Sequence, residues 1–130
     1  MEKNNLEKRI ALVGNPDSYG YKVISLFDGF ESITLDIYSP QNVSELNTIK
    51  KELFKIKYGC LFICTHLLPK NRFSWNKKGG IDLPLGLRLL KDIKSKGSTN
   101  KDSFIYVIGE RGDYTYKEKA KKIGADRYIC

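Results

Sequence analysis

The chain has 130 residues, 29% charged and 41% hydrophobic, with 23 lysines and arginines against 15 aspartates and glutamates for a formal net charge of +8. This length and balance suit one soluble globular domain with a real core. They exclude a membrane-spanning protein, since no apolar run approaches the required length, and the N-terminus MEKNNLEKR lacks the apolar core of a secretory signal, so a cytoplasmic location is expected. Residues 1–8 read as a polar, frayed lead-in to a domain over 9–130. Residues 9–13 (RIALV) read as a buried first strand, and 14–20 (GNPDSYG) as a turn-rich exit in which Asp17 or Ser18 caps a helix. Val23, Ile24, Phe27 and Phe30 follow at helical spacing. Residues 32–38 (SITLDIY) alternate as a more exposed edge strand, ended by Ser39 and Pro40. Asn42 and Glu45 form a capping box before a helix whose apolar face carries Leu46, Ile49, Leu53 and Ile56.

The run 60–65 (CLFICT) is apolar almost throughout, which predicts a central strand covered on both faces. It ends at Thr65 and His66, the place where a parallel sheet delivers its chemistry. Residues 70–80 (KNRFSWNKKGG) read as a long polar loop carrying Phe73 and Trp75. A helix over 83–93 follows, with Pro84 in its first turn and Gly97 just past its end. Residues 98–102 form a turn and 104–108 (FIYVI) a fourth strand. Thr115 and Glu118 box a further helix that runs to Ile123 and stops at Gly124, before a fifth strand over 127–130. Strands alternating with helices predict an α/β domain with right-handed crossovers. Cys60, Cys64 and Cys130 are expected as reduced thiols: Cys60 and Cys64, four apart on a strand, point the same way but lie too far apart for a disulfide, and with no CxxC and one histidine no metal site is expected.

The stretch IGERGDYTYKEKAKKIGADRYI, with Arg111-Gly112-Asp113 before a helix and Gly124-Ala125-Asp126 after it, resembles the fourth strand, fourth helix and fifth strand of a response-regulator receiver domain. The stretch ending in Pro69, followed by GLRLLKDIK, is similar to that family's third strand, loop and third helix. The resemblance implies a flavodoxin-like, doubly wound parallel sheet of five strands in the order 2-1-3-4-5. It also implies a signalling role in a two-component phosphorelay. Receivers accept a phosphoryl group on an aspartate beside a magnesium ion held by two acids. Carried over residue by residue, the acceptor position falls on Thr65, the acidic pair on Gly14 and Asn15, the switch hydroxyl on Gly109, and the aromatic switch on Tyr128, which is kept. Four such departures imply a degenerate receiver (a pseudo-receiver) that is not an enzyme and needs no metal or cofactor, acting through protein contacts.

The partner surfaces expected are Tyr106, Tyr114, Tyr116 and Tyr128, together with Phe73 and Trp75. His66 is expected as a surface or internally satisfied histidine, with no carboxylate placed to orient it. Receivers end in a fifth helix that nothing here supplies. Either the sequence is a piece of a longer protein, or another copy or a partner covers the apolar face, which predicts self-association as a homodimer. Two alternatives remain. The loop 14–20 between strand and helix suits a nucleotide or coenzyme A, with Asp36 placed for a ribose, although G-x-G-x-x-G spacing is absent. Nucleic-acid binding through basic faces lacks a helix-turn-helix or an aromatic RNA-binding motif. The lysines are scattered over helix faces and ends, which reads as solvation and favours an acidic partner surface.

Overall fold

Five short runs of β-forming residues pair in parallel: β1 (Arg9–Val13), β2 (Thr34–Tyr38), β3 (Cys60–Cys64), β4 (Phe104–Ile108) and β5 (Arg127–Ile129). Their order across the sheet is β2-β1-β3-β4-β5, the doubly wound order expected. The structure, a computed structural model, describes residues 9–15, 22, 33–68, 84–95, 97–110, 112 and 114–130. The helix expected around Val23, Ile24, Phe27 and Phe30, its caps Asp17 and Ser18, and the loop with Phe73 and Trp75 lie outside the described residues.

Register sorts the apolar side chains into two rows. Ala11 pairs with Leu61 and Leu61 with Ile105; Val13 pairs with Ile63 and Ile63 with Val107. This inner row is fully buried. Onto it pack Leu46 and Leu53 of α1 (Val43–Leu53), Leu87, Leu90 and Ile93 of α2 (Leu85–Ile93), and Ala120 of α3 (Lys117–Ile123). Each fully buried leucine or isoleucine contributes about 1.5–3 kcal/mol by leaving water, so this side dominates stability.

The opposite side carries a smaller cluster of Leu12, Cys64 and Ile108, flanked by half-buried Leu35, Ile37 and Phe62, and no described helix contributes to it. Along β3, which was expected to be covered on both faces, Leu61, Ile63 and Cys64 are buried, while Cys60 and Phe62 are half-buried. Phe62 stacks on Tyr106 at 4.7 Å between ring centroids, and Phe104 leans on Tyr106 at 5.1 Å. Phe104 and Ile129 are 42% and 40% exposed. Burial, followed by the charge of Asp126, pushes the Cys60 thiol up to about 12, so it stays protonated at neutral pH. All three cysteines are free thiols.

The helix ends refine the expected boundaries. Asn42 caps α1 by accepting from the Glu45 amide at 2.8 Å, while the Glu45 carboxylate accepts from the Gln41 amide instead of closing back on Asn42. Pro84 is the N-cap of α2, one step outside the expected first turn. The Thr115–Glu118 box is not the cap of α3: the N-cap is Tyr116, which makes no side-chain cap bond. Gly124 ends α3 at φ 134°, a conformation that favours glycine.

Asp36 does not stand free for a ribose. It lies within β2, where its Oδ2 accepts from Arg9 Nε at 3.0 Å and from the Tyr58 hydroxyl at 2.7 Å. Because its hydroxyl hydrogen points at Asp36, the Tyr58 oxygen accepts from Tyr38 at 2.8 Å. Burial, then these two partners, raises the Tyr58 phenol far above its usual range. The small-ligand alternative thereby loses its acidic residue to a structural network.

Candidate functional site

The carboxyl ends of β1, β3 and β4 lie side by side, because the parallel ladder continues past each strand. The Gly14 amide donates to Tyr38 O at 3.0 Å, Thr65 to Ile108 O at 3.0 Å, and Gly109 to Ile129 O at 2.7 Å. The structure thus brings Gly14, Asn15, Thr65 and Gly109 to one edge of the sheet, at the end where such folds place ligands.

Thr65 is 1% exposed. Its carbonyl accepts from the Gly86 amide at 3.1 Å, which seats the first turn of α2 on the exit of β3. Its hydroxyl lies 3.1 Å from His66 Nδ1. The same nitrogen faces Glu110 Oε2 at 3.9 Å. This corrects the expectation that no carboxylate stands near His66. The signal was present in the strand order: Cys64 pairs with Ile108, so two steps on, His66 comes abreast of Glu110.

The trio is not a catalytic relay. A histidine that activates a hydroxyl uses one ring nitrogen for the nucleophile and the other for the carboxylate. Here both neighbours meet Nδ1. That nitrogen either accepts from Thr65 or carries a proton toward Glu110; it does not do both.

Asn15 is also committed. Its Nδ2 donates to Leu68 O at 2.8 Å, and its amide donates to His66 O at 3.4 Å, which clamps the exit of β1 to the segment leaving β3. Gly14 and Gly109 bring backbone only. Among the described residues, no group of three or more His, Cys, Asp or Glu comes together in a way that holds a metal ion. Asp17 and Asp113 lie outside the described residues.

The four tyrosines do not share a surface. Side chains alternate along β4 and β5, so Tyr106 lies beside Phe62 on the outer face, whereas Tyr128, opposite Val107, packs on the inner core with Tyr116. Tyr114 stands out at the surface with Lys117 Nζ 5.8 Å from its ring centroid. Gly109 offers no hydroxyl between the Thr65 edge and Tyr128. Phe73 and Trp75 are not among the described residues. Among the described residues, no helix is long and apolar enough to cross a membrane.

No family model matches the chain, and no curated protein does. Solved structures do. A response regulator from Burkholderia pseudomallei, solved with a phosphorylated aspartic acid, calcium ion and citrate, superposes with a TM-score of 0.60 at 18% identity over 94% of this chain. This chain spans 58% of that protein's length. A CheY-like receiver domain protein from Methanospirillum hungatei gives 0.60 at 16% identity over 94% of this chain and 79% of its own. The receiver domain of a sensor histidine kinase from Pseudomonas aeruginosa, with magnesium coordinated in its active-site cleft, gives 0.58 at 12% identity over 95% of this chain and 84% of its own. At these identities the likeness establishes the receiver fold.

Proposed function

We propose that this chain is a receiver-like signalling module that acts through protein contacts, without accepting a phosphoryl group and without catalysing a reaction. The carrying observation is Thr65, which follows β3 directly, is almost wholly buried, and has its hydroxyl on His66. A phosphoryl acceptor needs an ionised nucleophile beside a divalent cation, and magnesium needs hard, preferably anionic oxygens. Gly14, Asn15 and Thr65 supply no carboxylate, and the one side-chain amide oxygen that Asn15 offers is neutral, so this donor set is a poor fit to the ion. Incubation with acetyl phosphate and magnesium, followed by intact mass, is expected to return the unmodified chain. A stoichiometric phosphoryl adduct refutes the reading.

The partner is a protein of a cytoplasmic signalling pathway. The outer sheet face, with its stacked Phe62 and Tyr106 beside exposed Phe104 and Ile129, supports association of the chain with itself. Sedimentation across a range of concentrations is expected to show mass rising toward a dimer. A single monomeric species throughout removes the homodimer and leaves the signalling reading to the mass measurement.

A further inference from the structure

A second surface lies on the helical side of the sheet. Between α1 and α2 runs a groove with an aliphatic floor of Leu46, Leu85 and Leu89. At its mouth Val43, in the first turn of α1, is 47% exposed. A β-branched apolar residue in that position adds little to helix formation, and here it extends the floor of the groove into solvent.

The charges around the floor are unequal. Lys50 Nζ meets Asp92 Oδ2 at 2.9 Å across the groove and neutralises it. Asp92 is one turn beyond Arg88 on α2 and is the natural i,i+4 partner for it, but Lys50 has taken that carboxylate. Arg88 is exposed and makes no ion pair among the described residues. Exposed Lys51 and Lys91 add positive charge on the adjoining faces of the two helices.

We propose that this groove binds an acidic peptide segment of a partner protein, with an apolar side chain on the leucine floor and a carboxylate on Arg88. A guanidinium presents a planar fork that matches a carboxylate in two parallel hydrogen bonds. The aliphatic floor supplies the desolvated anchor that makes such a pair specific. Nucleic acid fits poorly, because among the described residues the lining has no aromatic ring on which a base stacks.

The test uses the whole chain, labelled with nitrogen-15, and a short synthetic peptide carrying two glutamates one helical turn from a pair of leucines. Amide shifts are expected to cluster on residues 43–50 and 85–92. Replacing the glutamates by glutamines, or Arg88→Glu in the protein, is expected to weaken binding about tenfold or more, since the first removes the attractive charge and the second sets like charges against each other. Val43→Asp is expected to weaken it through the floor. Both positions are exposed, and an acid in the first turn of a helix is favourable, so both variants keep the parent's unfolding midpoint. A peptide with lysines in place of the glutamates is expected to bind Arg88→Glu in preference to the parent. The proposal is overturned if millimolar peptide moves no amides, if the shifts lie elsewhere, if the glutamine peptide binds as well, if the lysine peptide shows no such preference, or if heparin of matched charge occupies the same residues equally.

Discussion

Replacing Gly86 by alanine is expected to destabilise the chain by about 3 kcal/mol or more. Helix propensity alone predicts the opposite sign, because alanine in a helix is better than glycine by about 1 kcal/mol. The position decides the matter. A Cβ on Gly86 falls 2.1 Å from Cys64 O, 2.7 Å from Thr65 Cα and 2.9 Å from Cys64 C. All three are backbone atoms of the β3 exit, so no rotamer relieves the overlap. Moving α2 away breaks the Gly86–Thr65 hydrogen bond and lifts Leu87 and Leu90 from the core. Urea unfolding of the variant measures the loss. Gly97→Ala is the comparison: with φ +88° and nothing within 4 Å, its cost is backbone strain of about 1 kcal/mol. Equal midpoints for Gly86→Ala and the parent would contradict the close seat of α2 on β3.

The second large effect is expected at Asn100, which is fully buried. Its Oδ1 accepts from the Tyr58 amide at 2.8 Å and from Ser103 Oγ at 2.9 Å. Its Nδ2 donates to Leu53 O at 2.6 Å and to Ile56 O at 2.8 Å. One side chain thereby satisfies the carbonyls freed at the end of α1, holds the entry to β3, and fixes the turn before β4. Asn100→Ala leaves several buried groups without partners and is expected to cost about 3–4 kcal/mol. Asn100→Asp keeps the shape but turns a carboxylate oxygen toward the carbonyls of Leu53 and Ile56. Burial and those oxygens raise the new carboxyl's pKa in the folded state above its unfolded value of about 3.9. A raised folded pKa means that the protonated form is favoured on folding. The variant is therefore expected to be at its best below the unfolded pKa and to lose stability as pH rises through the folded one. Thermal unfolding of both variants, and of Asn100→Asp at acid and neutral pH, checks this. A loss below about 1 kcal/mol for the alanine variant is ordinary for a surface site and would sink the network.

Neither residue stood out in the sequence. Gly86 read as one letter of a helix and Asn100 as part of a polar turn, because what makes each indispensable lies far away in the chain. The contact of Gly86 is with the end of β3, and Asn100 bonds to residues 42 to 47 positions earlier. The candidate site was legible to the same degree. Thr65, Gly14 and Asn15 were placed at one sheet edge by strand order, whereas Glu110 beside His66 emerged only when β3 and β4 were set in register. The faces of the tyrosines were hidden for a related reason: Tyr106 stands abreast of Arg127, one register step from Tyr128, so the two side chains lie on opposite faces of the sheet.

By itself the order of residues determined the α/β class, the five strands, the Asn42 cap of α1 and the Gly124 stop of α3. Each of these is set within a few positions along the chain, by side-chain period, by a capping side chain, or by the one residue tolerant of positive φ. Only the tertiary structure decided that Asp36 is spent on Arg9 and Tyr58, that β3 is buried on one face and half-buried at Cys60 and Phe62 on the other, and that Arg88 makes no ion pair among the described residues beside an aliphatic groove. Those outcomes depend on which distant elements the sheet brings together and which partner reaches a charge first, and no local pattern carries that information.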